Sequence, residues 1–290
     1  MVKLSAKAII KYMLIFTEIS LFLPRLPDFL EGMRLLLASD LHTAGYGRNE
    51  KILGSIIRQG ADLLLFAGDF CRHMVIGNPF GSWQEPCKIG FSAKGLAFPP
   101  QSKRAMYVTR KLLRNADFPL GIFAVLGNHD PADFVHDLTR LGVTTLDNET
   151  RQLTTLKGRR FNICGVNCLS RSSMDIAETV LEMDPSLFTI GLCHFPEMAE
   201  PLAGAGIDLI LAGHTHGGQI CMPNGNPLIA HSQTGRKYSS GLERVGDSFI
   251  YTSRGLGNSI IPVRVNCPPE ITRLTLHRGK ADGECHSYKK

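Results

Sequence analysis

Five apolar runs in this chain end alike, each meeting an aspartate, asparagine or histidine within a residue or two of its last aliphatic side chain. Met33-Arg34-Leu35-Leu36-Leu37-Ala38-Ser39 reaches Asp40-Leu41-His42, and Leu63-Leu64-Leu65-Phe66-Ala67-Gly68 reaches Asp69. Gly121-Ile122-Phe123-Ala124-Val125-Leu126-Gly127 reaches Asn128-His129-Asp130, and Leu187-Phe188-Thr189-Ile190-Gly191-Leu192-Cys193 reaches His194. Ile207-Asp208-Leu209-Ile210-Leu211-Ala212-Gly213 reaches His214-Thr215-His216. Near-continuous apolar runs of this length read as strands buried on both faces, and ligands of such sheets gather at the carboxyl ends of the strands. Asp40, His42, Asp69, Asn128, His194, His214 and His216 are therefore expected along one edge. In an extended chain positions i and i+2 point the same way, so His214 and His216 can face one small volume. Imidazoles grouped with carboxylates in this way point to a metal cluster.

At 290 residues, 43% hydrophobic and 20% charged, the chain has the composition of a globular protein with a sizeable core. Its eight cysteines lack the paired spacings of a zinc ribbon or a disulfide scaffold, which suits reduced, buried thiols in a cytosolic protein. The net charge of +6 permits contact with an anionic surface without demanding it. No basic patch interleaved with aromatics is visible, so nucleic acid is not an expected partner.

Residues 1–23 are rich in apolar groups, but Lys11 and Glu18 interrupt them, and a spanning helix needs about 20 apolar residues in succession. Drawn as a helix, Lys3, Lys7, Lys11 and Glu18 line one face, while Ile9, Ile10, Met13, Leu14, Phe16, Leu21 and Phe22 fill most of the rest. That pattern suits a helix lying in a membrane interface through residues 1–25; a helix packed on the core or a relic of an export signal are the alternatives. The expected organisation is an amphipathic, membrane-associating segment at 1–32 and one domain at 33–290. The location that follows is cytoplasmic, peripheral on the inner face of the cell membrane.

Within the domain, Asn49 can cap a helix that ends at Gly60, which places a strand-helix-strand unit before Asp69. A long Gly- and Pro-rich connection at about 71–102 carries Phe80, Trp83, Phe91 and Phe98, and is read as an insertion contacting substrate. Asp130-Pro131 precedes a helical pattern at 134–141, so Asp130 can also be a helix cap. Short branched segments broken by Lys157-Gly158-Arg159-Arg160 predict an antiparallel hairpin, and strands are expected at 218–222, 248–252 and 271–277.

The set Asp40-x-His42, Gly68-Asp69, Gly127-Asn128-His129-Asp130, His194 and Gly213-His214-x-His216 resembles the calcineurin-like metallophosphoesterase superfamily, from about residue 33 to the end of the chain. Gly213 to Ile220, with Tyr238, Ser253-Arg254-Gly255-Leu256-Gly257 and Pro269-Glu270-Ile271, is similar more narrowly to the bacterial YaeI/YkuE-type phosphodiesterases. Phe70-Cys71 and the long insertion depart from that branch's commoner pattern. The resemblance implies an α/β fold, a four-layer α-β-β-α sandwich of two mixed sheets flanked by helices. It implies two divalent cations, Mn²⁺ first with Fe or Zn²⁺ as alternatives. Asp40, His42, Asp69 and His216 would hold one, and Asp69, Asn128, His194 and His214 the other.

Two such cations about 3.5–4 Å apart supply the charge neutralisation and activated water that phosphoester hydrolysis requires. His129 is left over after ligation, and the resemblance implies that it stabilises the phosphate or protonates the leaving group, with Asp130 the natural partner to orient it; Arg254, Trp83 and Phe80 are candidate substrate contacts. The branch includes enzymes that cleave UDP-2,3-diacylglucosamine to UMP and lipid X in lipid A synthesis. The expected activity is thus a membrane-associated phosphodiesterase or pyrophosphatase on a lipid-linked nucleotide. A phosphodiesterase on a soluble nucleotide, cell-wall or nucleic-acid substrate, and a non-catalytic scaffold, are the competing readings.

Overall fold

In the apolar runs, successive side chains cover opposite surfaces, and both surfaces are buried. The computed structural model describes residues 14–43, 45–72, 101–167, 173–229, 232, 234–259, 262–279 and 287–288. Its strands, in chain order, are β1 (Ile15–Leu23), β2 (Arg34–Ala38), β3 (Leu63–Ala67), β4 (Ile122–Val125), β5 (Thr144–Thr145) and β6 (Glu149–Thr154). They continue with β7 (Arg160–Val166), β8 (Thr189–Cys193), β9 (Leu209–Ala212), β10 (Gly241–Val245), β11 (Ser248–Thr252), β12 (Glu270–Arg278) and β13 (Ser287–Tyr288). The helices are α1 (Arg48–Ile57), α2 (Gln101–Leu112), α3 (Phe134–Arg140), α4 (Ser173–Val180) and α5 (Ala199–Gly204).

Two mixed sheets result, one ordered β13-β1-β12-β2-β3-β4-β5 and the other β10-β11-β9-β8-β7-β6. Leu35, Leu37, Leu63 and Leu65 of the first sheet meet Ile190, Leu192, Leu209 and Leu211 of the second in one core, all with no exposure. The alternate residues Leu36, Leu64 and Phe66 face the other way, onto Leu53, Ile57, Val108 and Leu138 of α1, α2 and α3. Cys164, Ile210 and Ile250 likewise cover Ala199 and Leu202 on the outer face of the second sheet. The layers are therefore helix, sheet, sheet, helix, the fold expected from the sequence. Parallel pairing of β2, β3 and β4 in one sheet and of β8 and β9 in the other sends five site-bearing strand ends the same way.

The amino-terminal expectation needs correction. Residues 15–23 form a strand, not part of an interfacial helix, paired in parallel with β12 from Ile15↔Glu270 to Leu23↔Arg278. Ile19, Leu21 and Leu23 alternate into the core between the sheets at 6%, 1% and 2% exposure, whereas Glu18 faces outward to Arg273 at 2.8 Å. A helical wheel groups Leu21 with Phe22, but the pleat puts them on opposite faces and leaves Phe22 43% exposed. The domain thus begins before residue 33, because β1 lies within the sheet between β13 and β12. Residues 1–13, with Lys3, Lys7 and Lys11, lie outside the described residues, as does most of the 71–102 insertion, including Phe80 and Trp83.

Smaller differences follow from local chemistry. Helix α1 starts two residues earlier than expected, with Gly47 in place of Asn49 at its cap and the Glu50 carboxylate accepting the Gly47 N–H at 2.8 Å. Helix α3 starts at Phe134, so Asp130 does not cap it. The strand expected at 218–222 is reduced to isolated bridges at Ile220 and Cys221. The hairpin is present as β6 and β7. Among the described residues no helix is long and apolar enough to cross a membrane.

Burial of Leu21 by both sheets predicts that Leu21→Ala lowers stability by about 2–5 kcal/mol, measured by urea unfolding. An unchanged midpoint would contradict a strand packed in the core.

Candidate metal centre

Every site-bearing strand stops shortly before its polar residue, and the chain then leaves extended geometry. Asp40, His42, Asp69, His214 and His216 have φ of +50°, +40°, +58°, +71° and +52°, making up five of the nine non-glycine residues with positive φ among those described. This left-handed region costs an ordinary side chain about 1–3 kcal/mol, and surrounding structure must enforce it. The hooked backbone also overturns the expectation that His214 and His216 share a face as i and i+2 of a strand. β9 ends at Ala212, and the Thr215 hydroxyl accepts the Gly217 N–H as a short 3-10 turn begins. The two rings diverge: His216 goes to Asp40 and His42, and His214 to His194 and Phe195.

The side chains brought together form a continuous cluster. Asp40, His42 and His216 form one group of potential ligands, Asp40, Asp69 and His194 a second, and His42, Asp69 and His129 a third, with the ligand atoms of each group within 4.8 Å of one another. His42 Nε2 lies 3.1 Å from His216 Nε2 and 3.5 Å from Asp69 Oδ2, while His216 Nε2 lies 3.5 Å from Asp40 Oδ1. His194 Nε2 lies 3.3 Å from Asp69 Oδ2 and 3.1 Å from Asn128 Oδ1. The His214 ring centre is 5.0 Å from that of His194. All seven expected ligands thus meet where the sheet edges face each other, Asn128 and His214 joining through His194.

Backbone contacts aim these rings. His194 Nδ1 faces Ala67 O at 2.7 Å and His42 Nδ1 faces Cys71 O at 3.1 Å, leaving both Nε2 atoms for the cluster. The His214 N–H donates to both Asp40 oxygens, and the His129 N–H donates to Asp69 Oδ1 at 2.9 Å. Motif glycines make the room: a side chain at Gly127 would overlap the Asp69 carboxylate, and a Cβ at Gly213 would stand 2.7 Å from Asp40 Oδ2.

Protonation in this dry cleft is in conflict. Burial pushes Asp40 up to about 6, and the nearby Asp69 charge adds to the rise. Burial also pulls His42 down to about 4 and His216 well below the usual imidazole value, where His42 and the Arg264 cation lower it further. Burial opposes charge on both His194 and Asp69, yet their mutual attraction wins, taking His194 up to about 9 and holding Asp69 well below the carboxylate range. Divalent cations held by these groups would resolve the conflict, since they favour an ionised carboxylate and an unprotonated imidazole nitrogen together. Mixed oxygen and nitrogen donors fit such ions. The five described cysteines are all buried, and burial keeps the Cys193 thiol, next to His194, protonated.

The remaining candidates separate. His129 joins the cluster at its more open side, 3.9 Å from Asp69 Oδ2, with 18% of its side chain exposed. Asp130, expected to orient His129, instead accepts the Cys71 N–H at 2.8 Å and the Gly127 N–H at 3.0 Å, tying the loops after β3 and β4 together. Arg254, a candidate phosphate contact, gives its Nε to the buried Glu270 carboxylate, which also accepts from Tyr251 and Thr272.

Arg264 escaped the sequence reading. Only 8% exposed, it donates to the carbonyls of His216, Arg254, Gly255, Gly257 and Cys267, and its Nη2 lies 3.2 Å from His216 Nδ1. In Val263-Arg264-Val265 it looks like the outward residue of a strand, and nothing local signals otherwise.

Two packed mixed sheets, with buried carboxylates and imidazoles converging at their facing edges, have the make-up of a metal-dependent phosphoester hydrolase. The Calcineurin-like phosphoesterase family model matches residues 33–218, and the chain belongs to that family. It is 29% identical to the uncharacterized metallophosphoesterase YkuE of Bacillus subtilis over 273 residues, 91% of this chain and 86% of that protein. It is 28% identical to the phosphodiesterase YaeI of Escherichia coli over 254 residues, 84% and 82% of the two chains. A Bos taurus transmembrane protein with metallophosphoesterase domain is 26% identical over 283 residues, 90% of this chain and 56% of that protein. The protein is a metal-dependent phosphoesterase.

Removing the Arg264 guanidinium strands several buried carbonyls. Arg264→Ala is expected to lower stability by about 1–3 kcal/mol, read from urea unfolding, and Arg264→Lys to recover only part, since an ammonium lacks the planar fork. Full recovery with lysine would show that charge alone suffices.

Proposed function

We propose that Asp40, His42, Asp69 and His216 hold one divalent cation, that Asp69, Asn128, His194 and His214 hold a second, and that the substrate is UDP-2,3-diacylglucosamine. The observation carrying the two-cation reading is the place of Asp69: its Oδ2 lies 3.5 Å from His42 Nε2 on one side and 3.3 Å from His194 Nε2 on the other. One carboxylate can thus serve both positions. Bound there, two cations polarise the phosphoryl group and supply activated water. Mn²⁺ is the first choice on the donor set, with Fe and Zn²⁺ next.

The chain's own groups complete the chemistry. His129, held by its backbone on Asp69 and partly exposed, is placed to bind a phosphate oxygen or to hand a proton to the departing one. Asp130 keeps that loop in register. One water is added across the P–O–P linkage, releasing UMP and the lipid monophosphate. The similarity to the phosphodiesterase YaeI supports the reaction class. A lipid-borne substrate places the enzyme peripherally on the inner face of the cell membrane, where the basic and apolar residues 1–13 fit an anionic surface.

Incubation with Mn²⁺ and UDP-2,3-diacylglucosamine is expected to yield UMP, detected by chromatography. Asp69→Asn is expected to bring turnover to background and to reduce bound metal, with the fold retained by circular dichroism. Cleavage of soluble diesters without UMP release would move the substrate to the soluble class, and full activity of Asp69→Asn would remove the two-cation reading.

A further inference from the structure

The segment that follows the His214-Thr215-His216 turn is built inside out. Ile220 bridges Val265 in parallel register and Cys221 bridges Pro227 in antiparallel register. The bonds are Cys221 N–H to Val265 O at 2.9 Å, Leu228 N–H to Ile220 O at 2.9 Å and Met222 N–H to Asn226 O at 2.8 Å. Paired residues of extended segments share a face and successive ones alternate. Cys221, Pro227 and Arg264 therefore occupy one face, and all three are buried, as is Gln219 just before them. That face meets the metal loop: Cys221 Sγ donates to Gly217 O at 3.1 Å, and Arg264 grips His216.

The opposite face carries Ile220, Met222, Leu228, Val263 and Val265. Met222 is 47% exposed, Leu228 50% and Val263 38%. Strand pairs with one wet face normally turn their polar residues outward. Here the polar groups are inside and the aliphatics outside, and a contiguous exposed aliphatic face marks an interaction site.

Its chemistry favours lipid over protein. Residues 217–229 and 262–268 contain no Trp, Tyr or Phe, and aromatics are among the usual anchors of protein interfaces. Residues 209–242 and 248–269 contain no Asp or Glu. The exposed Arg236 reaches Leu228 O at 3.5 Å and so sits at the rim. We propose that this face rests on an anionic lipid surface, its aliphatics entering the headgroup boundary and Arg236 meeting lipid phosphates. Docking there would hold the metal loop beside the bilayer; this extends the reading of a lipid-borne substrate, although the face itself is read independently of it.

Flotation of the full chain with phosphatidylcholine vesicles containing phosphatidylglycerol tests it, with phosphatidylcholine alone as comparison. The wild type is expected to float with the anionic vesicles. Leu228→Asp with Val263→Asp should cut the bound fraction at least tenfold while thermal unfolding stays cooperative; should that pair not fold, Leu228→Asn alone should cut it at least threefold. Leu156→Asp, at an 88% exposed position in the turn between β6 and β7, should leave flotation unchanged. Residues 1–13 are the same in every variant and are common to all the comparisons, so a wild type that does not float, or Leu228 and Val263 variants that float like wild type, would overturn the proposal. So would loss of flotation explained by a lipid-free dimer that the variants dissociate, which would give the face to a second copy. UMP release, assayed in detergent, reports on the substrate separately, so either reading can fail without the other.

Discussion

Asp69 is a carboxylate with almost no access to water, and much of the architecture serves to keep it ionised. A buried charge without partners is prohibitive in a protein interior. Here His42, His129 and His194 surround its oxygens, and the His129 amide donates to it. Neither sheet could supply this alone. Asp40, His42, Asp69 and Asn128 follow strands of the first sheet, whereas His194, His214 and His216 follow strands of the second. The leucine-rich core between the sheets therefore does more than stabilise them: it fixes the distance between the two halves of the metal centre.

Precision at that seam is achieved with backbone, at a local cost. Five positions of the cluster adopt left-handed conformations, which only dense surrounding contacts can maintain. The glycines of the Gly-Asn-His-Asp and Gly-His-x-His motifs are explained by crowding, since a side chain on either would enter a carboxylate's space. Arg264, threaded through the carbonyls behind His216, and Asp130, bridging the loops after β3 and β4, act as internal braces. Both make their contacts with backbone groups of the loops that carry the cluster.

The amino-terminal strand shows how one composition can satisfy two periods. Its β-branched and aromatic residues suit a strand, yet its apolar groups are dense enough to make a plausible helical face as well. Tertiary pairing with β12 decided between them, because only the two-residue period sends Ile19, Leu21 and Leu23 together into the core. The same limit applies near Ile220, where Ile220 and Met222 read as part of an ordinary strand until register shows that they lie on the face opposite the buried Cys221.

What the sequence determined by itself was the layered fold and the set of polar residues that gather at its edge. Apolar runs buried on both faces must be sheet interior, and a polar residue at such a run's end must lie at a sheet edge. Those are constraints of local patterning, and they made Asp40, His42, Asp69, Asn128, His194, His214 and His216 legible in advance. What only the tertiary structure decided was how these groups point and what holds them: the divergence of His214 from His216, the Asp130 carboxylate turned to the Cys71 and Gly127 amides instead of to His129, the pairing of Arg254 with Glu270, and the place of Arg264. Each depends on contacts between residues far apart in the chain, Arg264 with His216 or Arg254 with Glu270. No local pattern carries such information, because the energies that choose these partners exist only once the two sheets have closed on each other.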